Sequence, residues 1–361
     1  MERAKRQITR LPRAAVTSLL VIALAFVVAA FAYFLAPDHS PYANRMIVEI
    51  GGKPPGFTQR FLLLPRKTTD VTGFFQRLLH GEPDTCTYIP ITGWRLQGDS
   101  VHIDKYIDDG LTEPQAYALQ SVDPYRAGRF IYTQRFYLGT DRFGRDVLSR
   151  LIIGTRVSLS VGLVAVVLSL TIGIILGSLG GYYGGVADDV IVWFMNIVWS
   201  IPTLLLVFAI TFALGKGFWQ VFVAVGLTLW VNVARTLRGQ VLALRNIEFV
   251  EAGRALGFSD ARIIARHILP NVLGPVLVVS AANFASAIVI EAGLSFLGVG
   301  VQPPEPSWGL MIKDNYSFII THNPSLAIVP GVAIMVLVLA FNLLGNGLRD
   351  ALDVRKNHFI E

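Results

Sequence analysis

The chain has 361 residues, 53% hydrophobic and only 16% charged, and carries a net charge of +6. A soluble domain averages about 25% charged residues. Here the deficit gathers into uncharged windows of about twenty residues, the length that spans a bilayer as a helix, so the composition excludes an ordinary soluble domain and marks a multi-spanning, all-α membrane protein.

The positive balance reads as basic residues at span ends rather than as a nucleic-acid surface. The single cysteine, Cys86, excludes an intrachain disulfide and a cysteine-based metal site.

The chain opens on "MERAKRQITRLPR", followed by an apolar run from about Ala14 to Leu35. Ala30-Phe31-Ala32 mimics a cleavage site, but the run exceeds the roughly 7–15 residues of a signal core. An uncleaved anchor fits better, with Arg3, Lys5, Arg6, Arg10 and Arg13 holding that end in the cytoplasm. Residues 37–137 change character. Turn signals recur in "GGKPPG", "HGEPD", "LQGD" and "DDG". Between them "RMIVEI", "TYIPITGW" and "SVHIDKYI" read as strands and "VTGFFQRLLH" as a short helix. This predicts a small α+β insertion, extracytoplasmic because it follows an anchor whose start is held inside; its basic residues do not contradict this, since long loops translocate largely regardless of charge.

"LGTDRFGRDVLSRLIIGTR" leads back to the membrane. Asp141 and Gly144 suit a turn, and Asp146 suits the first turn of a helix. Val147, Leu148, Leu151 and Ile152 make an apolar stripe, with Arg145, Arg150 and Arg156 expected on the water side of an interfacial helix. The second span is expected over about Val157–Leu179. Its ladder Ser169, Gly173, Gly177, Gly181 should let another helix approach closely. After a short loop at "GGYYGGVADD", the third span (about Val190–Leu214) contains Pro202, which should kink or break it. Further spans are expected over about Val221–Ala234, Val272–Leu297 and Leu326–Leu344, with a non-helical "GVGVQPPEPSWG" before the last. Six spans that begin inside also end inside, which puts both termini and the Arg235–Asn271 stretch in the cytoplasm, as its arginines require.

Within that stretch "NIEFVEAGRAL" reads as a short helix with Ile247, Val250 and Leu256 available for one contact face. Gly257 should end it, Ser259 or Asp260 should cap the next helix, and Pro270 with Asn271 should stop that one before the fifth span. A loop of this length is usually functional or disordered. Two short helices with a sharp elbow form a knob suited to dock on another protein.

These residues resemble the coupling loop of binding-protein-dependent ABC import permeases. That pattern is Glu-Ala-Ala, three residues, Gly, nine residues, Ile-x-Leu-Pro. Here it reads Glu251-Ala252-Gly253, then Gly257, then His267-Ile268-Leu269-Pro270, with Gly253 and His267 as departures. "LGTDRFGRDVLSRLIIGTRVSLSVG", "GYYGG", "EAGLSFLGVGVQPPEPSWG" and "FNLLGNGLRDALD" resemble the C-type permease subunit of oligopeptide and dipeptide importers, over about Leu138–Asp353. Asn346 and Val354 depart where that branch usually has Asp and Pro, and the 37–137 segment is longer than in most such subunits.

The resemblance implies the six-span fold of a type I ABC importer permease. Residues 1–36 would hold the cytoplasmic tail and first span, 138–354 the permease core with its coupling loop at about 235–271, and 355–361 a cytoplasmic tail. It implies a prokaryotic plasma (inner) membrane location, a second, B-type permease, two cytoplasmic ATPase subunits and an extracytoplasmic solute-binding protein. Glu251, Ala252, Gly253, Arg254, Ala255, Gly257, His267 and Pro270 would meet an ATPase.

The chain shows no Gly-x-x-x-x-Gly-Lys-Ser/Thr loop and no metal-ligand cluster, so ATP and Mg are expected only in the partners, and the chain is expected to be non-catalytic. His267 reads as a structural hydrogen-bonder rather than a proton carrier. Among acids in the spans, Glu291 is a pathway or gate candidate with Asn283 on the same face, although its place near the outer span end should let water reach it. Peptides are the expected solutes, nickel or another small solute the alternative. A stand-alone channel or carrier would leave the elbow unexplained, and a membrane-anchored receptor would leave five spans unexplained.

Overall fold

The computed structural model describes residues 12–66, 73–122, 130–215, 217–320 and 323–352, so the N-terminal basic residues Arg3 to Arg10, Val354 and the tail 355–361 fall outside it. The chain divides into two compact units. One comprises Val27–Val157 and Pro303–Val332, the other Met1–Phe26, Ser158–Gln302 and Ala333–Glu361.

In the first unit the apolar N-terminal run ends as α1 (Arg13–Ala30) gives way, after Phe31, to α2 (Ala32–Leu35). Five strands follow: β1 (Phe57–Pro65), β2 (Cys86–Gln97), β3 (Ser100–Asp108), β4 (Leu111–Ala118) and β5 (Ile131–Phe136). They form one antiparallel sheet in the order β4-β3-β2-β1-β5. The "LQGD" and "DDG" signals are its hairpin turns, with Gly98 (φ 58) and Gly110 (φ 82) taking the left-handed conformation that side chains resist. "RMIVEI" is not a strand. It forms a 3-10 turn at Val48–Ile50, and its Ile47 and Ile50 cover one sheet face with Phe61, Tyr106 and Phe136. The other face buries Leu62, Ile91, Val101, Ile103 and Val122. α3 (Phe74–His80) is the helix expected from "VTGFFQRLLH", and α4 (Leu119–Val122) is a single turn.

The expected interfacial helix is not a separate element. It is the start of α5 (Val147–Tyr183), 37 residues long, or about 55 Å at 1.5 Å per residue. Arg145 and Arg150 do not face water either. Both are buried, because carboxylates close in around them. Arg145 Nε donates to Asp141 at 2.6 Å and its Nη2 to Asp314 at 3.2 Å. Arg150 is 1% exposed, with Nε 3.8 Å from Asp141. Asp314 lies on α11 (Trp308–Asn315), which follows the non-helical segment expected at "GVGVQPPEPSWG".

In the second unit the expected "GGYYGGVADD" loop shrinks to one residue. α5 runs to Tyr183, Gly184 turns at φ 67, and α6 (Gly185–Ser200) begins. Pro202 breaks the third span outright: α6 and α7 (Thr203–Leu214) meet at 95°. α8 (Phe218–Leu244), α9 (Glu248–Ala255), α10 (Asp260–Phe296) and α12 (Ser325–Leu352) complete the fold. Among the described residues five helices are long and apolar enough to cross a membrane, and α6–α7 makes a sixth if the bent pair is one span.

The ladder on α5 does what its spacing predicts. A Cβ added at Gly173 would stand 2.5 Å from the Val233 side chain, one at Gly177 2.6 Å from the Ala234 carbonyl, and one at Gly181 2.9 Å from the Arg238 carbonyl. Only hydrogen atoms fit, so the backbones of α5 and α8 touch along three turns. Asp188 of α6 clamps the same helix, taking two hydrogen bonds of 2.5 Å from the Arg238 guanidinium.

Candidate functional site

The elbow forms as the sequence proposes at its first corner. Leu256 closes α9. The amide of Phe258 donates to the Gly253 carbonyl at 3.1 Å and that of Gly257 to the Arg254 carbonyl at 2.9 Å, with Gly257 at φ 75. This pair of bonds is the Schellman motif, which satisfies the carbonyls a helix end leaves open. Val250 and Gly253 face inward, packed with Phe258 and Ile263. Glu251, Ala252, Arg254, Ala255 and Gly257 remain exposed. So do Ile247 and Leu256, the latter at 72%. A short helix therefore presents an apolar and charged outer face while its inner face is fixed.

The second corner differs from expectation. Neither Ser259 nor Asp260 caps the next helix with its side chain. Asp260 instead accepts a hydrogen bond from the Tyr182 hydroxyl at 2.8 Å, and Arg254 Nε donates to that same hydroxyl at 3.4 Å. This contact holds the Arg254 guanidinium above its ordinary pKa, and together the three side chains tie the elbow to the end of α5. Pro270 and Asn271 do not stop the helix. A π-helical turn at Ile263–Ile268 precedes Pro270 and carries the chain into the spanning part of α10. The wider turn moves a carbonyl that the proline ring would otherwise meet. His267 is not held by side-chain hydrogen bonds. Its ring stacks on Phe258 at 5.7 Å and 11°, and Nε2 has no partner among the described residues.

The turn at residues 141–146 is built as expected. Asp141 Oδ1 accepts from the amides of Phe143 and Arg145 at 2.9 and 3.0 Å. Gly144, at φ 73, lies so close to the Ile47 carbonyl that no Cβ fits. Asp146 caps α5, accepting the Ser149 amide at 2.9 Å as well as its hydroxyl. Burial pushes the Asp146 carboxyl above its usual range despite those bonds.

Asn283 and Glu291 share one face of α10, but that face is packed. Asn283 Nδ2 donates to the Leu229 carbonyl at 3.1 Å and to Ser169 at 3.4 Å, joining α5, α8 and α10. Glu291 is 0% exposed and accepts from Ser295 Oγ at 2.7 Å, so water does not reach it as its position in the span suggested.

An open groove of about 380 Å³ lies elsewhere, where α7, α8, α10 and α12 meet, and it presents Thr203, Asn232, Ser286 and Asn342. All four are exposed, and among the described residues no hydrogen bond engages their side chains. Sequence reading passed over them because none is charged. The available signal is a lone amide within an apolar span, which is costly against lipid.

A chain whose spans are all helical, with one span broken, a polar groove among the spans and a fixed helical knob, has the features of a membrane transport subunit. Residues 169–358 match the profile of the binding-protein-dependent transport system inner membrane component, and the chain belongs to that family: it is a non-catalytic permease of the ABC importer type.

It is 41% identical over 217 residues to the oligopeptide transport system permease OppC of Bacillus subtilis (strain 168), covering 60% of this chain and 71% of that one. It is 39% identical over 246 residues to the glutathione transport system permease GsiD of Pectobacterium atrosepticum, covering 66% and 81%. Against the dipeptide permease DppC of Alkalihalophilus pseudofirmus identity is 42%, covering 60% and 71%. A solved chain of the inward-facing MetNI methionine ABC transporter aligns with a TM-score of 0.47 at 20% identity, over 56% of this chain and 96% of that one.

Proposed function

We propose that this chain is the C-type permease of an ATP-driven importer of short peptides, forming half of the translocation pathway beside a B-type permease. The observation that carries the coupling role is the α9 knob: Val250 and Gly253 anchor it inside while Leu256, Ile247 and Glu251 face out. Two cytoplasmic ATPase subunits, which bind ATP and Mg, would each grip one such knob. The fixed Schellman corner and the Tyr182–Asp260 tie would pass the movement to α5 and α10.

In this reading the sheet of residues 37–137 lies outside the membrane, where a solute-binding protein delivers its cargo. The 138–354 core spans the membrane, and both ends of the chain are cytoplasmic. Relatives that carry oligopeptide, dipeptide and glutathione names support a peptide solute. The groove suits one: Asn232 and Asn342 each offer a donor and an acceptor without charge, matching a main-chain amide. Asn283 and Glu291 would then support the wall behind the pathway rather than touch cargo.

Reconstitution tests this. The chain with its B-type partner, ATPases and binding protein should take up labelled peptides into liposomes only with ATP. Asn232→Leu should lower uptake roughly three- to tenfold, the weight of about one lost hydrogen bond, at unchanged assembly. A chain that passes solutes alone and without ATP would be a channel or carrier, and the reading would fall.

A further inference from the structure

α3 sits at the end of the first span with an apolar face that, among the described residues, stays largely exposed. Its sequence, Phe74-Phe75-Gln76-Arg77-Leu78-Leu79-His80, places Phe74, Phe75, Leu78 and Leu79 on one side of a helix. Phe75 is 76% exposed, Phe74 64% and Leu79 53%. Two large aromatic residues side by side in water would be an aggregation liability for a helix this short.

The helix is nevertheless firmly held from behind. Arg156 Nη1 donates to the carbonyls of Leu78 and Leu79 at 3.1 and 3.2 Å, closing the helix end. Gly81 then turns the chain at φ 79, so close to the end of α2 that an added Cβ would stand 2.6 Å from the His39 carbonyl and 2.8 Å from the Tyr33 ring. The Glu82 amide donates to the same His39 carbonyl at 2.8 Å. Phe74 packs on Phe34 of α2 with ring centroids 5.7 Å apart, and the Arg77 guanidinium lies 5.5 Å over the Phe34 ring. A loosely tethered turn would not carry this many contacts.

The exposed face of α3 therefore continues the exposed apolar surface of Phe31, Phe34 and Leu35 at the end of the first span. Lipid is the solvent of that span, and the continuity of the two surfaces identifies what covers α3. We propose that α3 is an interfacial anchor: Phe74, Phe75 and Leu79 enter the outer bilayer interface and fix the insertion to the lipid surface. Arg77 and Arg156 match this assignment, since long basic side chains lie along apolar surface and keep their heads at the polar boundary. His80 and Gln76, on the other side, face away from the apolar stripe.

The inference rests on the reading of α1 and α2 as a span, with the insertion outside, and is independent of the solute carried. Its test uses the assembled importer in nanodiscs, on a Cys86→Ser background, with a nitroxide at Phe75→Cys or Leu79→Cys. Controls carry the label at Leu24→Cys, an exposed residue of α1, and at Gln97→Cys, in a sheet hairpin. Collision with oxygen reports hydrocarbon, and collision with a soluble nickel chelate reports water.

Labels at 75 and 79 should favour oxygen, as at 24, and differ from 97. Nickel accessibility like that at 97 would overturn the anchor. So would low accessibility to both reagents, which would mean that a protein partner covers the face. Nickel accessibility at 24 itself would show instead that the span assignment had failed, and the anchor with it.

Discussion

Asp141 is the residue on which the turn before α5 depends. Its carboxylate serves two backbone amides, the Arg145 guanidinium and the neighbourhood of Arg150. Removing it leaves two buried guanidinium groups with less compensation, a loss of about 3–5 kcal/mol. Asp141→Ala should therefore unfold in detergent well below the parent. Arg150 is the informative contrast. It is 1% exposed, yet none of its nitrogens has a hydrogen-bond partner among the described residues. Its one ion pair among those residues is the 3.8 Å approach to Asp141, and Arg150→Met leaves that carboxylate bonded to Arg145 and to two amides, so Arg150→Met should cost clearly less thermal stability than Asp141→Ala. Equal losses in the two variants would contradict this division of roles.

Gly257 poses a different residue-scale question. Nothing lies within 4 Å of a Cβ added there, so a substitution meets only the strain of φ 75. For an ordinary side chain that strain is about 1–2 kcal/mol. Gly257→Val should reduce uptake by the assembled importer while the protein stays in the membrane, and Gly257→Asn, which tolerates the left-handed region, should retain most of it. Immunoblots of membranes alongside uptake rates separate folding from coupling.

Between elements, the contact of α5 with α8 decides the helical packing. The ladder is spaced by four residues, so one face of α5 carries no side chain larger than serine across three turns. Gly177→Leu would drive a side chain into the Ala234 backbone, which cannot yield as a flexible side chain would. Overpacking of this kind costs typically 1–3 kcal/mol, and more where only backbone lies opposite. A sharp fall in the amount of folded protein in membranes is expected for Gly177→Leu. Gly239→Leu, at an open site on α8, should leave that amount unchanged.

For the whole molecule the decisive property is sidedness. Cys86 begins β2 and is partly exposed, so a thiol reagent can reach it. In the proposed orientation a membrane-impermeant reagent labels it in intact spheroplasts. Labelling only after lysis would reverse the topology and carry the α9 knob to the wrong side for an ATPase. Gentle detergent extraction should also bring a second permease and ATPase chains with this one.

What the sequence determined by itself was whatever depends on local pattern. The spans follow from uncharged windows, the break from Pro202, the α5–α8 contact from four-residue spacing, and the knob's first corner from Gly257 and the residues before it. Each is set by bonds or periodicities within a few turns of chain. The tertiary structure alone decided the rest.

It buried Arg145 and Arg150, because the carboxylate that helps compensate them, Asp314, comes from a segment about 165 residues away. It turned Glu291 and Asn283 into packed residues, and it left Thr203, Asn232, Ser286 and Asn342 to share a groove. It also carried the chain through Pro270, where a π turn makes room for the ring. Whether a polar side chain is a partner, a wall or a surface depends on what other segments bring to it, and no local window of sequence contains that.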